Sequence, residues 1–201
     1  MRIPPETDVM SELQEIIVHY DIGDLVEYRR FEQGTVNTSY MIVTDVSERR
    51  RKYFLREYKR GIREEEILFE HSVLGHLKEK GFHLAAGVIS ARDGRTYIRR
   101  PKRWDEQEGS AFYAVFDFLS GEDKYTWVTP HCEPEELRSS AVVLAQFHHT
   151  VFGFIPAGKR YEPQIIDLLP IIADTVKECA SKAGDTVFDA CLLENLGLIL
   201  E

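Results

Sequence analysis

Residues 31–43 read FEQGTVNTSYMIV, and this stretch decides how we interpret the rest of the chain. It predicts the end of one strand, a tight polar turn and the start of a second strand. Gly34 gives the turn a backbone freedom that a larger residue would remove. The small donors and acceptors around it are Thr35, Asn37, Thr38 and Ser39. The turn is either an ordinary hairpin or a cover for the phosphates of a nucleotide, since backbone amides between two strands can bind phosphate.

The composition is that of an ordinary globular chain, with 43% hydrophobic and 29% charged residues among 201. A net charge of −9 argues against general nucleic-acid binding, because there is no basic excess to neutralise phosphates. Three cysteines without a Cys-x-x-Cys spacing favour a reducing compartment. The N-terminus lacks the apolar core of a signal peptide, and no apolar run reaches membrane-spanning length. We therefore expect a cytoplasmic protein without nucleic-acid or membrane partners.

The first 119 residues carry the patterns of an antiparallel sheet with two helices. Apolar residues at helical spacing predict a first helix that ends at Gly23 and a second over residues 63–80. Strand patterns lie at residues 25–32, 39–45, 53–58, 87–90, 95–99 and 111–119. Arg92-Asp93-Gly94 indicates a hairpin turn between two of these strands. The expected fold class is α+β.

Beyond Gly121 the composition changes from strand-rich to helix-rich, and we place a lobe boundary at about residue 120. Helices are predicted at residues 133–150, at 163–182 with a possible break at Pro170, and from a cap at Asp185 to the end. The face of the first helix is Leu137, Ala141, Leu144, Ala145 and His148. The last helix is expected to support a homodimer through an apolar surface. That surface is Leu192, Leu193, Leu196, Ile199 and Leu200.

Glu70 lies inside the apolar stripe of the second helix, three residues after Ile67 and four before Leu74. A carboxylate in such a position needs a cation or a hydrogen-bond donor. Arg56, on the third predicted strand, shares a face with Phe54 and can reach toward that helix. These positions favour an ion pair between Arg56 and Glu70. The alternatives are a surface arginine and a glutamate at the rim of the stripe.

Two apparent motifs are better explained without chemistry. His148 and His149 could form a metal site with His131 and Cys132, but adjacent residues seldom bind one metal without further spaced ligands. His148 is more simply a hydrogen-bonded core histidine. The stretch at residues 153–160, GFIPAGKR, is close to a phosphate-loop pattern, but it ends in arginine where a magnesium-binding hydroxyl is required. We interpret it as a loop.

From about residue 25 to 154 the chain resembles the aminoglycoside phosphotransferase and choline kinase-like family, which includes the type II homoserine kinases. Five short pieces carry the resemblance, in the family's order and at sensible spacings. They are Gly34-x-x-Asn37, Leu55-Arg56-x-Tyr58, Glu70 with Leu74 and Leu77, Phe116-x-Phe118-Leu119-x-Gly121, and Leu144-Ala145-x-Phe147-His148. The resemblance implies a protein kinase-like fold, with a nucleotide-binding lobe at residues 1–119 and a partial helical lobe at 120–201.

The resemblance also implies roles for individual residues. Arg56 stands where many members have a lysine that contacts the phosphates, and Glu70 is the helix carboxylate that holds it. The strand at residues 111–119 resembles the hinge, where backbone groups bind adenine. Its implied partners are ATP and, for the complete family fold, Mg²⁺. The implied nucleotide-binding residues are Gly34, Thr35, Asn37, Thr38, Ser39, Arg56, Glu70, Val115, Phe116 and Phe118.

One family feature is missing, since the 201 residues contain no His-Gly-Asp or His-Arg-Asp. The expectation is therefore an N-terminal part of an ATP-dependent kinase that acts on an alcohol group, of the homoserine, choline or aminoglycoside type. This part would carry no catalytic residue and no magnesium ligand, and by itself it would be inactive. A small-molecule acceptor would bind only a full-length form. The alternatives are a non-catalytic module of the same fold that binds a nucleotide or a protein, and an unrelated α+β interaction domain.

Overall fold

The computed structural model describes residues 6–32, 36–101, 110–121, 132–161 and 165–200. Within these ranges it has five helices and six strands, in an α+β arrangement. The helices are α1 (Glu6–Ile17), α2 (Glu64–Glu79), α3 (Pro134–Val151), α4 (Ile165–Ser181) and α5 (Val187–Leu200). The strands are β1 (Asp24–Phe31), β2 (Thr38–Val46), β3 (Arg49–Glu57), β4 (Val88–Ile89), β5 (Ile98–Pro101) and β6 (Ser110–Asp117).

The strands form one antiparallel sheet in the order β1-β2-β3-β6, with both β4 and β5 on the outer edge of β6. The predicted meander of the first three strands is confirmed. The predicted hairpin between β4 and β5 is wrong, because the two strands follow each other along β6 and do not pair together. A turn does form there, since the Asp93 carboxylate accepts hydrogen bonds from the backbone and guanidinium of Arg95 and the backbone N–H of Ala91 donates to the backbone oxygen of Arg95.

The two faces of the sheet belong to two different cores. Strand alternation in β6 points Tyr113 and Val115 toward the core that contains α1, and Phe112, Ala114 and Phe116 toward the core that contains α2. The α1 core also holds the predicted helix residues Leu13, Ile16, Ile17 and Tyr20. The α2 core also holds Ile67, Tyr58 and Tyr97. A residue of β6 can therefore reach only the cleft on its own face.

Helix α3 is exposed along the face that its sequence pattern marked as apolar. Leu137 is 64% exposed and Leu144 is 54% exposed. His148 is exposed as well, so the prediction of a core histidine is wrong. The spacing of apolar residues correctly predicts the helix, but it carries no information about which element covers the face.

The loop after α3 packs against α2. A Cβ atom on Gly158 would lie 2.1 Å from the backbone oxygen of Glu65, and the φ angle of Gly158 is +77°. The backbone N–H of Lys159 donates to that same oxygen at 3.0 Å. The interpretation of this stretch as a loop is confirmed, and Gly158 serves close packing against the first turn of α2.

By packing, the chain divides into two compact units, Met1–Lys159 and Arg160–Glu201. The predicted lobe boundary near residue 120 stays a prediction. In the second unit, α4 runs through Pro170 without interruption. Helix α5 begins after Thr186, whose hydroxyl accepts the backbone N–H of Asp189, so Thr186 and not Asp185 is the cap.

Part of the apolar surface of α5 is exposed, including Leu193 and Ile199. Self-association through this surface stays a prediction. Among the described ranges, no helix combines the length and the apolar character that a membrane span requires.

Candidate functional site

A cleft of about 450 Å³ opens on the α2 face of the sheet, beside the end of β6. Most of its lining is aromatic or aliphatic, and a charged pair lies among these side chains. The lining residues are Phe31, Phe54, Arg56, Glu70, Leu74, Ala86, Phe116, Asp117, Phe118 and Leu119. Four residues predicted from the sequence, Arg56, Glu70, Phe116 and Phe118, thus line one cleft.

Three phenylalanine rings from three strands form the apolar wall of this cleft. Phe54 of β3 lies opposite Phe116 of β6 in the ladder, and their ring centroids are 6.2 Å apart. Phe31, at the end of β1, lies 5.7 Å from Phe54. Such a wall can bury a flat, weakly polar ring system by stacking and apolar contact.

Arg56 and Glu70 provide the charged part of the lining. Nη1 of Arg56 donates to Oε1 of Glu70 at 2.6 Å, which confirms the predicted ion pair. Their side chains are 25% and 37% exposed, so both are open to solvent and to a ligand. The guanidinium also lies over the ring of Phe116, 5.0 Å from its centroid, and over the rings of Phe54 and Tyr58. These contacts fix a cation beside the apolar wall.

Behind the pair lies a hydrogen-bonded group that the sequence did not reveal. Tyr58 donates from its hydroxyl to Oε2 of Glu70 at 2.8 Å and lies 2.9 Å from Nε2 of His71. Nδ1 of His71 lies 2.7 Å from the hydroxyl of Thr96. Burial lowers the pKa of His71 to about 4 and raises the pKa of the Tyr58 hydroxyl, with Glu70 raising the latter further. The group is therefore neutral around pH 7.

The polar turn is only partly described. Gly34 and Thr35 lie outside the described residues. Oδ1 of Asn37 accepts the backbone N–H of Lys59 at 2.9 Å, which ties the turn to the segment after β3. Thr38 and Asn37 line a separate cavity of about 210 Å³, together with Arg30, Phe31 and Glu32. Ser39 pairs with Arg56 in the sheet and lines neither cavity.

At the predicted hinge the structure separates Val115 from Phe116. Val115 is fully buried in the α1 core and is flanked in the sheet by Leu55 and Ile89. Strand alternation turns its side chain away from the cleft, and a contact of its backbone with a nucleotide stays a prediction. β6 ends at Asp117, so the backbone of Phe118 and Leu119 lies beyond the ladder and beside the cleft.

Six lining residues were missed from the sequence: Phe31, Phe54, Leu74, Ala86, Asp117 and Leu119. Two of them could have been predicted from their positions in the sequence. Phe54 shares its strand face with Arg56, and Leu74 lies four residues after Glu70 in α2, so each belongs beside a predicted residue. The rest come from elements whose register the sequence does not give.

A second groove of about 670 Å³ lies between the C-terminal half of α2 and the end of α3. His76 stacks on Phe154 there, with ring centroids 4.0 Å apart, and hydrogen-bonds the backbone oxygen of Thr150. None of the predicted nucleotide-binding residues lines it.

Within the described ranges, no group of three or more His, Cys, Asp or Glu side chains could hold a metal ion. The three cysteines are exposed and unpaired with one another.

Comparison with known proteins also indicates a phosphotransferase. The phosphotransferase enzyme family matches residues 27–186, most of the chain. The homoserine kinase of Afipia carboxidovorans is 28% identical over 130 residues, which are 63% of this chain and 35% of that kinase. The chain thus spans about a third of the length of this relative, as the 35% coverage shows.

Two solved structures share the fold at 15% identity. A spectinomycin phosphotransferase, in complex with ADP and spectinomycin, superposes with a TM-score of 0.57 over 98% of this chain and 55% of that one. An amicoumacin kinase, in complex with AMP-PNP, Ca²⁺ and its substrate, gives a TM-score of 0.59 over 89% and 53%. With the matched family and this protein kinase-like fold, the chain belongs to the phosphotransferase enzyme family of small-molecule kinases.

Proposed function

We propose that this chain is the nucleotide-binding part of an ATP-dependent kinase that phosphorylates an alcohol group of a small molecule. The observation that carries the proposal is that one cleft joins a wall of three phenylalanines to the Arg56–Glu70 pair. A nucleoside triphosphate has the matching chemistry, with a flat base at one end and several negative charges at the other.

The base would occupy the apolar wall. Phe31 and Phe54, which are both half-buried, offer ring surface to a purine, whereas Phe116 is buried and lies under the Arg56 guanidinium. Stacking on such rings contributes about 1–3 kcal/mol per base in nucleic-acid complexes. The backbone of Phe118 and Leu119 lies beyond the end of the ladder and beside the cleft. It is therefore placed to donate and accept hydrogen bonds at the edge of the base.

The phosphates would bind Arg56. A guanidinium has five N–H donors, and the bond to Glu70 uses one of them at Nη1. The remaining donors suit bidentate recognition of phosphate oxygens, which lysine in the same position could not give. Glu70 holds the cation in place, as a helix carboxylate does in kinases generally. Gly34, Thr35, Asn37, Thr38 and Ser39 are proposed to cover the phosphates from the turn.

In the complete reaction the acceptor hydroxyl gives up its proton to a base, its oxygen bonds to the γ-phosphorus, the bond from the γ-phosphorus to the bridging oxygen of the β-phosphate breaks, and ADP leaves. We assign to this chain the binding and orientation of ATP in that reaction, and no described residue the role of base. The acceptor class follows the relatives, which are homoserine kinases.

Filling the cleft tests the proposal. Ala86 lies in the cleft lining, whereas its neighbour Ala85 is equally half-buried but outside it. Ala86→Leu is expected to weaken ATP binding at least about tenfold by occupying the space of the base, while Ala85→Leu leaves it within about twofold. Calorimetric titration measures both affinities, and thermal melting checks that both variants fold. ATP binding that is unaffected by Ala86→Leu, or no ATP binding by the unsubstituted chain, would contradict the proposed function.

A further inference from the structure

The Glu70 carboxylate is engaged at both of its oxygens. Oε1 accepts from Nη1 of Arg56 at 2.6 Å, and Oε2 accepts from the hydroxyl of Tyr58 at 2.8 Å. An arginine partner alone would leave a carboxylate free to rotate about its last bond. The second bond removes that freedom, so Tyr58 determines the plane in which Glu70 meets the guanidinium.

The direction of the next hydrogen bonds follows from counting protons. A carboxylate only accepts, so Tyr58 donates its single proton to Glu70. Its hydroxyl oxygen must then accept from His71, which requires a proton on Nε2 of His71. Because His71 is 4% exposed and its pKa is lowered to about 4, the ring is neutral around pH 7. Nδ1 is therefore unprotonated and accepts from the hydroxyl of Thr96.

This chain of hydrogen bonds connects three separate parts of the nucleotide-binding unit. Tyr58 follows the last residue of β3, and its backbone N–H donates to Phe112 of β6 at 3.0 Å. His71 is the residue after Glu70 in α2, and Thr96 lies shortly before β5. The end of β3, helix α2 and the segment before β5 thus all constrain the carboxylate of Glu70.

We propose that Tyr58 and His71 are positioning residues, which fix Glu70 and through it present the Arg56 guanidinium to the phosphates of the bound nucleotide. The inference rests on the proposed function, because it assigns Tyr58 and His71 a task in binding the nucleotide that the cleft is proposed to hold. Neither residue lines the cleft itself. The inference also fixes the protonated nitrogen of His71 as Nε2. A purely structural role would give these residues the same hydrogen bonds but no influence on phosphate affinity.

The chain contains a matched pair that separates the two roles. Tyr97 lies in the same core as Tyr58, its side chain as a whole is equally little exposed, and its hydroxyl donates to another α2 carboxylate, that of the exposed Glu64. Neither Tyr97 nor Glu64 lines the cleft. Each Tyr→Phe change removes one hydroxyl and keeps the ring, so each variant loses one hydrogen bond to a carboxylate of α2, and the bond from Tyr97 is the more exposed of the two.

Affinities for ATP and adenosine, measured by calorimetry on both variants, test the proposal. Tyr58→Phe is expected to weaken ATP binding about tenfold, the effect of one hydrogen bond to a charged group, with adenosine binding within about twofold. Tyr97→Phe is expected to change neither affinity. If the ratio of ATP affinity to adenosine affinity is the same in Tyr58→Phe and Tyr97→Phe, and both variants lose a similar amount of melting temperature, the positioning role is overturned. No ATP binding by the unsubstituted chain would overturn the proposed function together with it, so the two failures are distinguishable.

A second readout needs no nucleotide. Two-dimensional ¹⁵N NMR of the histidine ring in the unsubstituted chain is expected to show His71 as the neutral tautomer with the proton on Nε2 at pH 7. Tyr58→Phe is expected to change the Nε2 shift and to leave the exposed His148 ring unchanged. A proton on Nδ1 of His71, or a charged ring at pH 7, would overturn the inference.

Discussion

Replacement of Arg56 by alanine is expected to weaken ATP binding by about 100-fold, or roughly 3 kcal/mol, and adenosine binding by no more than about twofold. The change removes the donors proposed to meet the phosphates. It also leaves the carboxylate of Glu70, which Tyr58 still holds, as an uncompensated negative charge beside the triphosphate. Both effects act on the charged end of the nucleotide only. Calorimetric titration of the variant with ATP and with adenosine measures them.

Two control variants make this result interpretable. Arg56→Lys keeps the charge but loses the planar fork, so an intermediate affinity for ATP is expected. Arg99→Ala removes a comparable strand arginine, which lies over the ring of Phe112 at 5.6 Å but does not line the cleft. It is expected to leave ATP binding unchanged. Equal losses of ATP and adenosine affinity in Arg56→Ala would show that the arginine supports the fold and does not contact phosphate.

Acidification from pH 7 to pH 4 is expected to cost about 3 kcal/mol of unfolding free energy through His71 alone. Burial lowers the pKa of His71 from 6.5 to about 4 in the folded state. Between these values the unfolded chain binds a proton that the folded chain does not. Stability therefore falls as the pH falls from about 6.5, and the loss from this group is complete near pH 4. The nearby Glu70 carboxylate favours the charged ring and the Arg56 guanidinium opposes it, but burial outweighs both.

Urea unfolding at several pH values measures this dependence. His71→Gln is expected to flatten the slope of stability against pH, whatever its effect on stability at pH 7. His148→Gln, at an exposed position of α3, is the control for the removal of a histidine. A slope that His71→Gln does not alter would mean that His71 is solvated or already charged in the folded protein.

The sequence carried enough information to predict the Arg56–Glu70 pair. A carboxylate in an apolar helix stripe requires a partner, and strand alternation limits which side chains of β3 can face α2. The β1–β3 meander was equally accessible, because its strands are long and separated by clear turn signals. These features depend on residues close together in the chain or on a strong local pattern.

What the sequence could not give depends on register and on distant neighbours. Val115 and Phe116 differ by one position in β6, yet they lie in different cores, and only the pairing with β3 decides which faces the cleft. The hydrogen bonds of His71 reach Tyr58, 13 residues away, and Thr96, 25 residues away, in separate elements. The sequence around Asp93 indicates a hairpin, but β4 and β5 both pair with the outer edge of β6 and not with each other.

The central claim is that the cleft beside the end of β6 binds ATP. Its most direct test is ¹⁵N NMR of the labelled chain during a titration with ATP, with every backbone amide observed in one experiment. The largest shift changes are expected at residues 116–119 and at Arg56 and Glu70, with saturation at a single affinity. Unchanged spectra, or changes confined to the groove at residues 149–155, would contradict it.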